Sequence, residues 1–211
     1  MSPQKRKFYP LVLGSGSPRR RELLERVGLL FSIASADIDE SVQTDEAPLD
    51  YVRRLATEKA TAIFSDHRDS LVLAADTMVS IGTTILGKPD DNTHATAMIS
   101  ELSGQTHQVT TAFALIAPIP NAPTERSART FSSTTDVTMR PLTKSEIVAY
   151  VASGEWRGKA GGYAIQGIGA ALVASVCGSV TNVIGLPLAE VLVAIEGFGG
   201  PLANYPQGTP V

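Results

Sequence analysis

The sequence predicts an α/β fold built on a mixed central β-sheet with flanking helices. Three observations carry that expectation. Strand-like and helix-like runs alternate in the first half of the chain, as in βαβ units. The later strand-like runs read as antiparallel neighbours. The composition, with 43% hydrophobic and 18% charged residues in 211, is a normal globular balance for one large domain or one domain of two lobes.

The elements follow in order. Phe8 to Leu13 reads as the first strand. Ser17 and Pro18 then supply a helix cap and a first helical residue, opening a helix from Pro18 to Val27. Phe31 to Ala34 is extended, and Pro48 to Phe64 is a long helix. Leu71 to Ala75 reads as a short buried strand that exits into Asp76-Thr77, and Gly87-Lys88-Pro89 ends the next extended stretch. Thr93 to Leu102, Lys144 to Ala152 and Pro187 to Ile195 read as helices, and His107 to Ala117 and Thr130 to Met139 as strands. Pro118 to Ala128 reads as a loop rich in Pro and polar residues. Ala160 to Ala189 carries no formal charge, but Gln166, Asn182, Pro187 and several glycines interrupt it. Its apolar alternation about a Gly-Ser turn fits a hairpin better than a membrane span.

Charge and motif content narrow the function. A net charge of −3 gives no global basic field for nucleic acid, so any anion site is a local cluster. The single cysteine, Cys177, excludes an intramolecular disulfide framework and reads as a packed thiol. No signal peptide is recognisable at the N-terminus, and the chain reads as cytoplasmic and soluble. No His and Cys spacing suits zinc, and no G-x-S-x-G elbow suits a serine hydrolase.

Four groups of residues suggest a site. The first follows the opening strand, where Gly14-Ser15-Gly16-Ser17-Pro18 leads into Arg19, Arg20 and Arg21. Three cations in a first helical turn oppose the helix dipole. An anion bound there would relieve the conflict through free backbone N–H groups and guanidinium forks; a solvated basic turn is the simpler reading. The spacing fits neither a Walker A loop nor a dinucleotide fingerprint.

The second group is on the Pro48 to Phe64 helix. With Val52 at zero, Leu55, Ala56 and Ile63 fall within about 60° of it, and Lys59 at about −20° lies inside that apolar stripe. It either snorkels at the rim or reaches a carboxylate or phosphate. The third comprises acids and a lysine near predicted strand ends: Asp37, Asp39 and Glu40, then Asp76, then Lys88. Carboxylates on separate loops can hold Mg²⁺ and activate water, while lysines neutralise phosphate charge; taken singly, each acid is an ordinary turn residue. The fourth is the small-residue loop Gly158 to Gly167. There Gln166 offers a donor and an acceptor that match the N3–H and O4 edge of uracil or thymine, unless the loop only feeds a strand. His107 is ambiguous between the site and the core, and Trp156 reads as a packing residue.

Together these segments resemble the Maf family of nucleotide pyrophosphatases. The matching stretches are SGSPRR at Ser15 to Arg20, DE at Asp39-Glu40, LATEKA at Leu55 to Ala60, ADT at Ala75 to Thr77 and GKP at Gly87 to Pro89. LSGQTH at Leu102 to His107, GKAGGYAIQG at Gly158 to Gly167 and NVIGLPL at Asn182 to Leu188 complete them. The resemblance implies a single Maf-like domain over residues 1–211, with two lobes around a deep cleft as in ITPase-like folds. It further implies hydrolysis of a nucleoside triphosphate to the monophosphate and pyrophosphate with a divalent cation, Mg²⁺ or Mn²⁺. Homodimers are common in the family, and neither nucleic acid nor membrane is an expected partner.

Tyr163 to Gly167 resembles the branch that hydrolyses dTTP and UTP. Carried over by motif, Asp76 is the proton acceptor. Arg19, Thr77 and Gln166 match positions linked to substrate choice, and Glu40, Lys59 and Lys88 match polar cleft residues. Gly14 stands where the family usually has Ala, and Pro118 to Ala128 looks longer than usual. The expected mechanism uses Arg19, Arg20 and the backbone of Ser15 to Ser17 on phosphate oxygens, and Lys59 and Lys88 on the leaving pyrophosphate. Asp76, with Glu40, orients the metal and deprotonates a water that attacks the α-phosphorus, while Gln166 reads the base. Two alternatives share these residues: a nucleotide-binding regulator of cell division with incidental hydrolysis, and a house-cleaning enzyme for modified pyrimidine nucleotides.

Overall fold

The computed structural model describes residues 8–120 and 122–205. A seven-stranded mixed sheet forms its centre. Strand β1 (Leu11–Gly14) pairs in parallel with β2 (Phe31–Ala34) on one side and with β3 (Leu71–Ile81) on the other. Helices α1 (Pro18–Arg26) and α2 (Pro48–Phe64) make the two crossovers. Beyond β3 the sheet turns antiparallel through β5 (Thr106–Ile119), β6 (Ala122–Met139) and β7 (Val173–Cys177), in the order β2-β1-β3-β5-β6-β7. Strand β4 (Thr84–Leu86) pairs with the far end of β3. The mixed α/β sheet expected from the sequence is present.

Strand alternation assigns the two faces. Leu71, Leu73 and Ala75 of β3 join the core under α1 and α6 (Leu188–Gly197), with Leu23, Leu24, Val191 and Ile195. Val72, Ala74 and Met78 face α2, with Val52, Ala56, Ala60 and Ile63. Many residues at that second contact are alanines, so α2 lies close to the sheet. Gly14 extends this fit: a Cβ built there would meet Ile63 Cδ1 at 2.6 Å. The place a methyl would take is filled by Ile63. A third core, separate in its residues, gathers Val79, Val109 and Val137 with Met98, Ile99 and Leu102 of α3 (Asn92–Leu102) and Ile147, Tyr150 and Val151 of α4 (Lys144–Ala152).

The structure corrects four expectations. Strand β3 does not end at Ala75: the apolar run resumes at Met78 and Val79, and Asp76 and Thr77 pair with Ala112 and Thr111 of β5 inside the ladder. Pro118 to Ala128 is not a loop, because β5 and β6 run on as a long hairpin past a register shift at Pro118/Ile119. Pro lacks a donor, and such irregularities accommodate it. The hairpin expected within Ala160 to Ala189 is instead β7 followed by a short helix, α5 (Val180–Ile184), because Ser179 caps the Asn182 N–H rather than turning the chain back. Cys177, at the end of β7, is exposed rather than packed. Trp156 is buried and donates to the Val151 carbonyl, as a packing residue does. Among the described residues no helix is long and apolar enough to cross a membrane.

Candidate active site

The site grows out of a gap in the sheet. The parallel ladder of β1 on β3 stops at Gly14↔Ala74, and the antiparallel ladder of β4 begins at Val79↔Leu86. Between them residues 75–78 keep β5 on one side and, among the described residues, meet no strand on the other. A cleft of about 690 Å³ opens here, lined by the β1–α1 loop, Glu40, Lys59, Asp76, Lys88 and the segment 157–166. That volume lies in the range of small-molecule sites.

Alternation along β3 sends Asp76 to the α2 face, between Ala74 and Met78. There the Lys59 ammonium lies 2.6 Å from Asp76 Oδ1 and 2.5 Å from Glu40 Oε1. Lys59 therefore keeps its place in the apolar stripe by reaching two carboxylates. Desolvating an ion costs several kcal/mol. The two pairings and the burial of Val52, Leu55, Ala56, Ala60, Ile63 and Phe64, at roughly 1.5–3 kcal/mol for each large side chain, offset it. Lys59 holds the Glu40 carboxyl below its ordinary range, chiefly by this hydrogen bond. Lys88, largely exposed, stands 4.0 Å from Glu40 Oε2.

Glu40 arrives on an irregular segment that α2 holds in place. Arg54 grips Glu46 with both nitrogens of its fork, at 2.6 and 2.8 Å, and the Ser41 carbonyl at 2.9 Å. Tyr51 donates to the Glu40 carbonyl at 3.0 Å.

Thr77 points to the opposite face, where Arg20 meets it. The Arg20 guanidinium donates to the Gly185 and Ala75 carbonyls at 2.8 Å, and to Ser15 Oγ and Thr77 Oγ1 at 3.0 Å. Four of its five N–H donors are thereby engaged within the protein. The bond to Ala75 matters most, because it satisfies a carbonyl on the strand flank that β1 no longer covers. Arg20 thus closes the sheet gap as a strand would. Thr77 is locked further by Thr111 Oγ1 at 2.9 Å. Asn182 of α5 is fully buried and pins β5 by accepting from the Thr111 N–H and donating to the Val109 carbonyl.

Arg19 differs from its neighbour. It has no hydrogen-bond partner among the described residues, and burial lowers its pKa. The Ser17 hydroxyl makes no capping bond, although Ser17 occupies the cap position. The N–H groups of Arg19 and Arg20, in the first turn of α1, have no acceptor within the helix. A cation, a hydroxyl and free N–H groups therefore converge at this end of the cleft, as an anion site requires.

The far wall is the segment from Arg157 to Gln166. Gln166 is exposed to the cleft, and its amide makes no hydrogen bond among the described residues. Arg157 and Lys159 also line the cleft. Burial lowers the pKa of Lys159, with the Arg19 charge adding to the effect. Beneath the wall, the His107 Nε2 and Tyr163 Oη atoms are 2.7 Å apart and the rings meet edge to face. His107 is thus a core residue that does not line the cleft.

The structure brings Ser15, Ser17, Arg19, Arg20, Glu40, Lys59, Asp76, Thr77, Lys88 and Gln166 to one cleft. Sequence reasoning did not anticipate that Arg54 holds the segment bearing Glu40 or that Asn182 pins β5. Asn182 acts across more than 70 residues, and the partners of Arg54 lie on an irregular segment with no periodicity to mark it.

Known proteins resemble this chain in sequence over most of its length. A protein of Hahella chejuensis called dTTP/UTP pyrophosphatase is 48% identical over 192 residues, 90% of this chain and 92% of its own. A dTTP/UTP pyrophosphatase of Myxococcus xanthus is 48% identical over 192 residues, 91% of this chain and 94% of its own. Among solved structures, a HAM1 protein from Coxiella burnetii covers 90% of this chain and 100% of its own at 14% identity, with a TM-score of 0.46. A likeness that distant adds nothing to the assignment. The sequence signature of Maf-like proteins matches residues 10–198. By that match and those relatives, the chain belongs to the Maf-like protein family.

Proposed function

We propose that this protein hydrolyses dTTP and UTP to the nucleoside monophosphate and pyrophosphate. The observation that carries the reading is the Asp76 carboxylate in the sheet gap, held by Lys59 and facing a cleft with an anion-binding end. The relatives' dTTP/UTP activity supports the choice of nucleotide.

In this reading the triphosphate lies along the N-terminal turn of α1, with Arg19, Ser17 and the free N–H groups on its oxygens. Arg20 acts mainly as a framework that holds the Ser15 loop, Ala75 and Thr77 in register. Lys59 and Lys88 balance charge growing on the leaving pyrophosphate. Asp76 accepts a proton from the water that attacks the α-phosphorus, and Lys59 keeps its carboxylate oriented. Gln166 pairs with the base. The whole chain serves as one domain of two lobes about the cleft; support for this comes from the separate core under α3 and α4.

The donor set fits a divalent cation. Glu40 and Asp76 already converge on one cationic group, and both are hard oxygen ligands. Mg²⁺ is commonly held by one or two carboxylates together with substrate phosphates. Among the described residues no group of three or more His, Cys, Asp or Glu forms a fuller cage. When bound, such an ion would supply charge neutralisation and a more acidic water.

The test is pyrophosphate release from UTP, dTTP, CTP, GTP and 7-methyl-GTP with Mg²⁺ or Mn²⁺. Turnover of UTP and dTTP above the others is expected. Activity confined to 7-methyl-GTP, or none at all, would overturn the reading.

A further inference from the structure

The loop that carries Gln166 is anchored from behind by a carboxylate outside the cleft. Glu155 Oε1 accepts the Ile168 N–H at 2.8 Å, and Oε2 accepts the Gly169 N–H at 2.7 Å. Two successive backbone N–H groups thus close on one carboxylate, an arrangement that favours anions strongly. Tyr150 of α4 donates to the same group at 3.2 Å. The charge therefore sits between α4 and the short 3₁₀ turn Ile168–Leu172 that follows Gln166.

Two glycines leave room for this contact. A Cβ at Gly167 would stand 1.8 Å from Glu155 Oε1, and one at Gly169 would stand 2.6 Å from the Ala164 carbonyl oxygen. At Gly167 the place that a Cβ would take is filled by the carboxylate itself. Upstream the loop is held twice more, by the Gly161 N–H on the Gly87 carbonyl at 3.0 Å and by Tyr163 on His107 at 2.7 Å. The N–H groups that Glu155 holds lie two and three residues beyond Gln166, whereas Gly161 and Tyr163 lie before it.

We propose that Glu155 is a positioning residue for base recognition: by holding the Ile168 and Gly169 N–H groups, it fixes the backbone on which Gln166 meets the pyrimidine edge. The proposal rests on the pyrophosphatase reading above and deepens it. Gln166 makes no hydrogen bond of its own among the described residues, so its place depends on the backbone that bears it. Without the anchor, that backbone must be ordered at each binding event. The loss falls on binding of the base and leaves the Asp76–Lys59 chemistry in place.

The experiment compares the full-length wild type with Glu155→Gln and Glu155→Ala, measuring kcat and KM for UTP, dTTP and CTP, and inhibition by inorganic triphosphate. In Glu155→Ala the KM for UTP is expected to rise about tenfold, the effect of ordering one residue, with kcat within about twofold. Preference for UTP over CTP shrinks, and inhibition by triphosphate, which has no base, stays as in the wild type. Glu155→Gln, which keeps one good acceptor, falls between. Unchanged KM and preference in a folded Glu155→Ala protein would overturn the proposal, as would an equal fall in kcat for every nucleotide.

Amide hydrogen exchange of the wild type provides a second measurement, independent of activity and of whether the variants fold. Ile168 and Gly169 are expected to exchange slowly; exchange at the rate of an open chain would also overturn the proposal. A wild type inactive on UTP and dTTP counts against the pyrophosphatase reading instead. Slow exchange would then still support the anchor, but not its role in base recognition.

Discussion

The Lys59 ammonium and the Asp76 carboxylate, 17 residues apart, meet at 2.6 Å across the contact between α2 and β3. Each is mostly covered, with 14% and 15% of the side chain exposed. Removing one partner leaves the other covered and uncompensated. Lys59→Met, which keeps most of the apolar stem, should cost about 1–3 kcal/mol and lower turnover by about 100-fold or more. Urea unfolding and pyrophosphate release measure the two effects; a stable, fully active variant would separate Lys59 from Asp76 in function.

Arg20 and Arg19 are expected to respond differently to loss of their forks. Arg20→Lys keeps the charge but cannot reproduce bonds to Gly185, Ser15, Ala75 and Thr77 together. It should destabilise the protein by about 2–4 kcal/mol. Arg19→Lys should leave the unfolding midpoint nearly unchanged and raise KM, because Arg19 has no internal hydrogen bond to lose.

Arg54 tests whether the Glu40 segment must be held. Arg54→Met releases Glu46 and the Ser41 carbonyl, should lower stability, and should reduce kcat several-fold by loosening Glu40. Arg54 holds the Glu46 carboxyl at about 2, down from its ordinary 4.5. A depressed carboxylate stabilises fully above 4.5, and its contribution is lost as pH falls towards 2. The effect of Arg54→Met on stability should therefore be constant above pH 4.5 and fade below it, as thermal unfolding across pH would show.

His107 sets a second pH dependence. Burial lowers its pKa from 6.5 to about 4. The unfolded chain takes up a proton below about 6.5 that the folded chain refuses until about 4, so stability falls with pH across that window. The drop should approach about 3 kcal/mol. Titration of the His107 ring resonances by NMR should give a midpoint near 4; a midpoint near 6.5 would contradict the buried, neutral imidazole.

Much of the site was legible because its signals are local. Proline at the first turn placed the starts of α1 and α2. Helical geometry alone put Lys59 on the buried stripe, which left it to snorkel at the rim or to reach an anionic partner, and the fold supplies two carboxylates. What failed depended on partners distant in sequence. Asp76 and Thr77 look like a strand exit because they interrupt an apolar run, yet β5 supplies a ladder that carries β3 through them. The special property of Asp76 is that β1 has stopped and β4 has not begun, which no single strand reveals. Arg19 and Arg20 look equivalent in sequence, but only Arg20 faces the sheet gap. The anchors Glu155 and Asn182 resemble an ordinary turn acid and a helix-start amide until the fold brings them to the backbone groups they hold.

The most direct test of the central claim is turnover by Asp76→Asn. The substitution keeps an acceptor oxygen for Lys59 and removes the carboxylate that accepts the proton. Pyrophosphate release from UTP should fall by about 100- to 10,000-fold while the variant stays folded. Turnover close to that of the wild type in a folded Asp76→Asn protein would contradict the account.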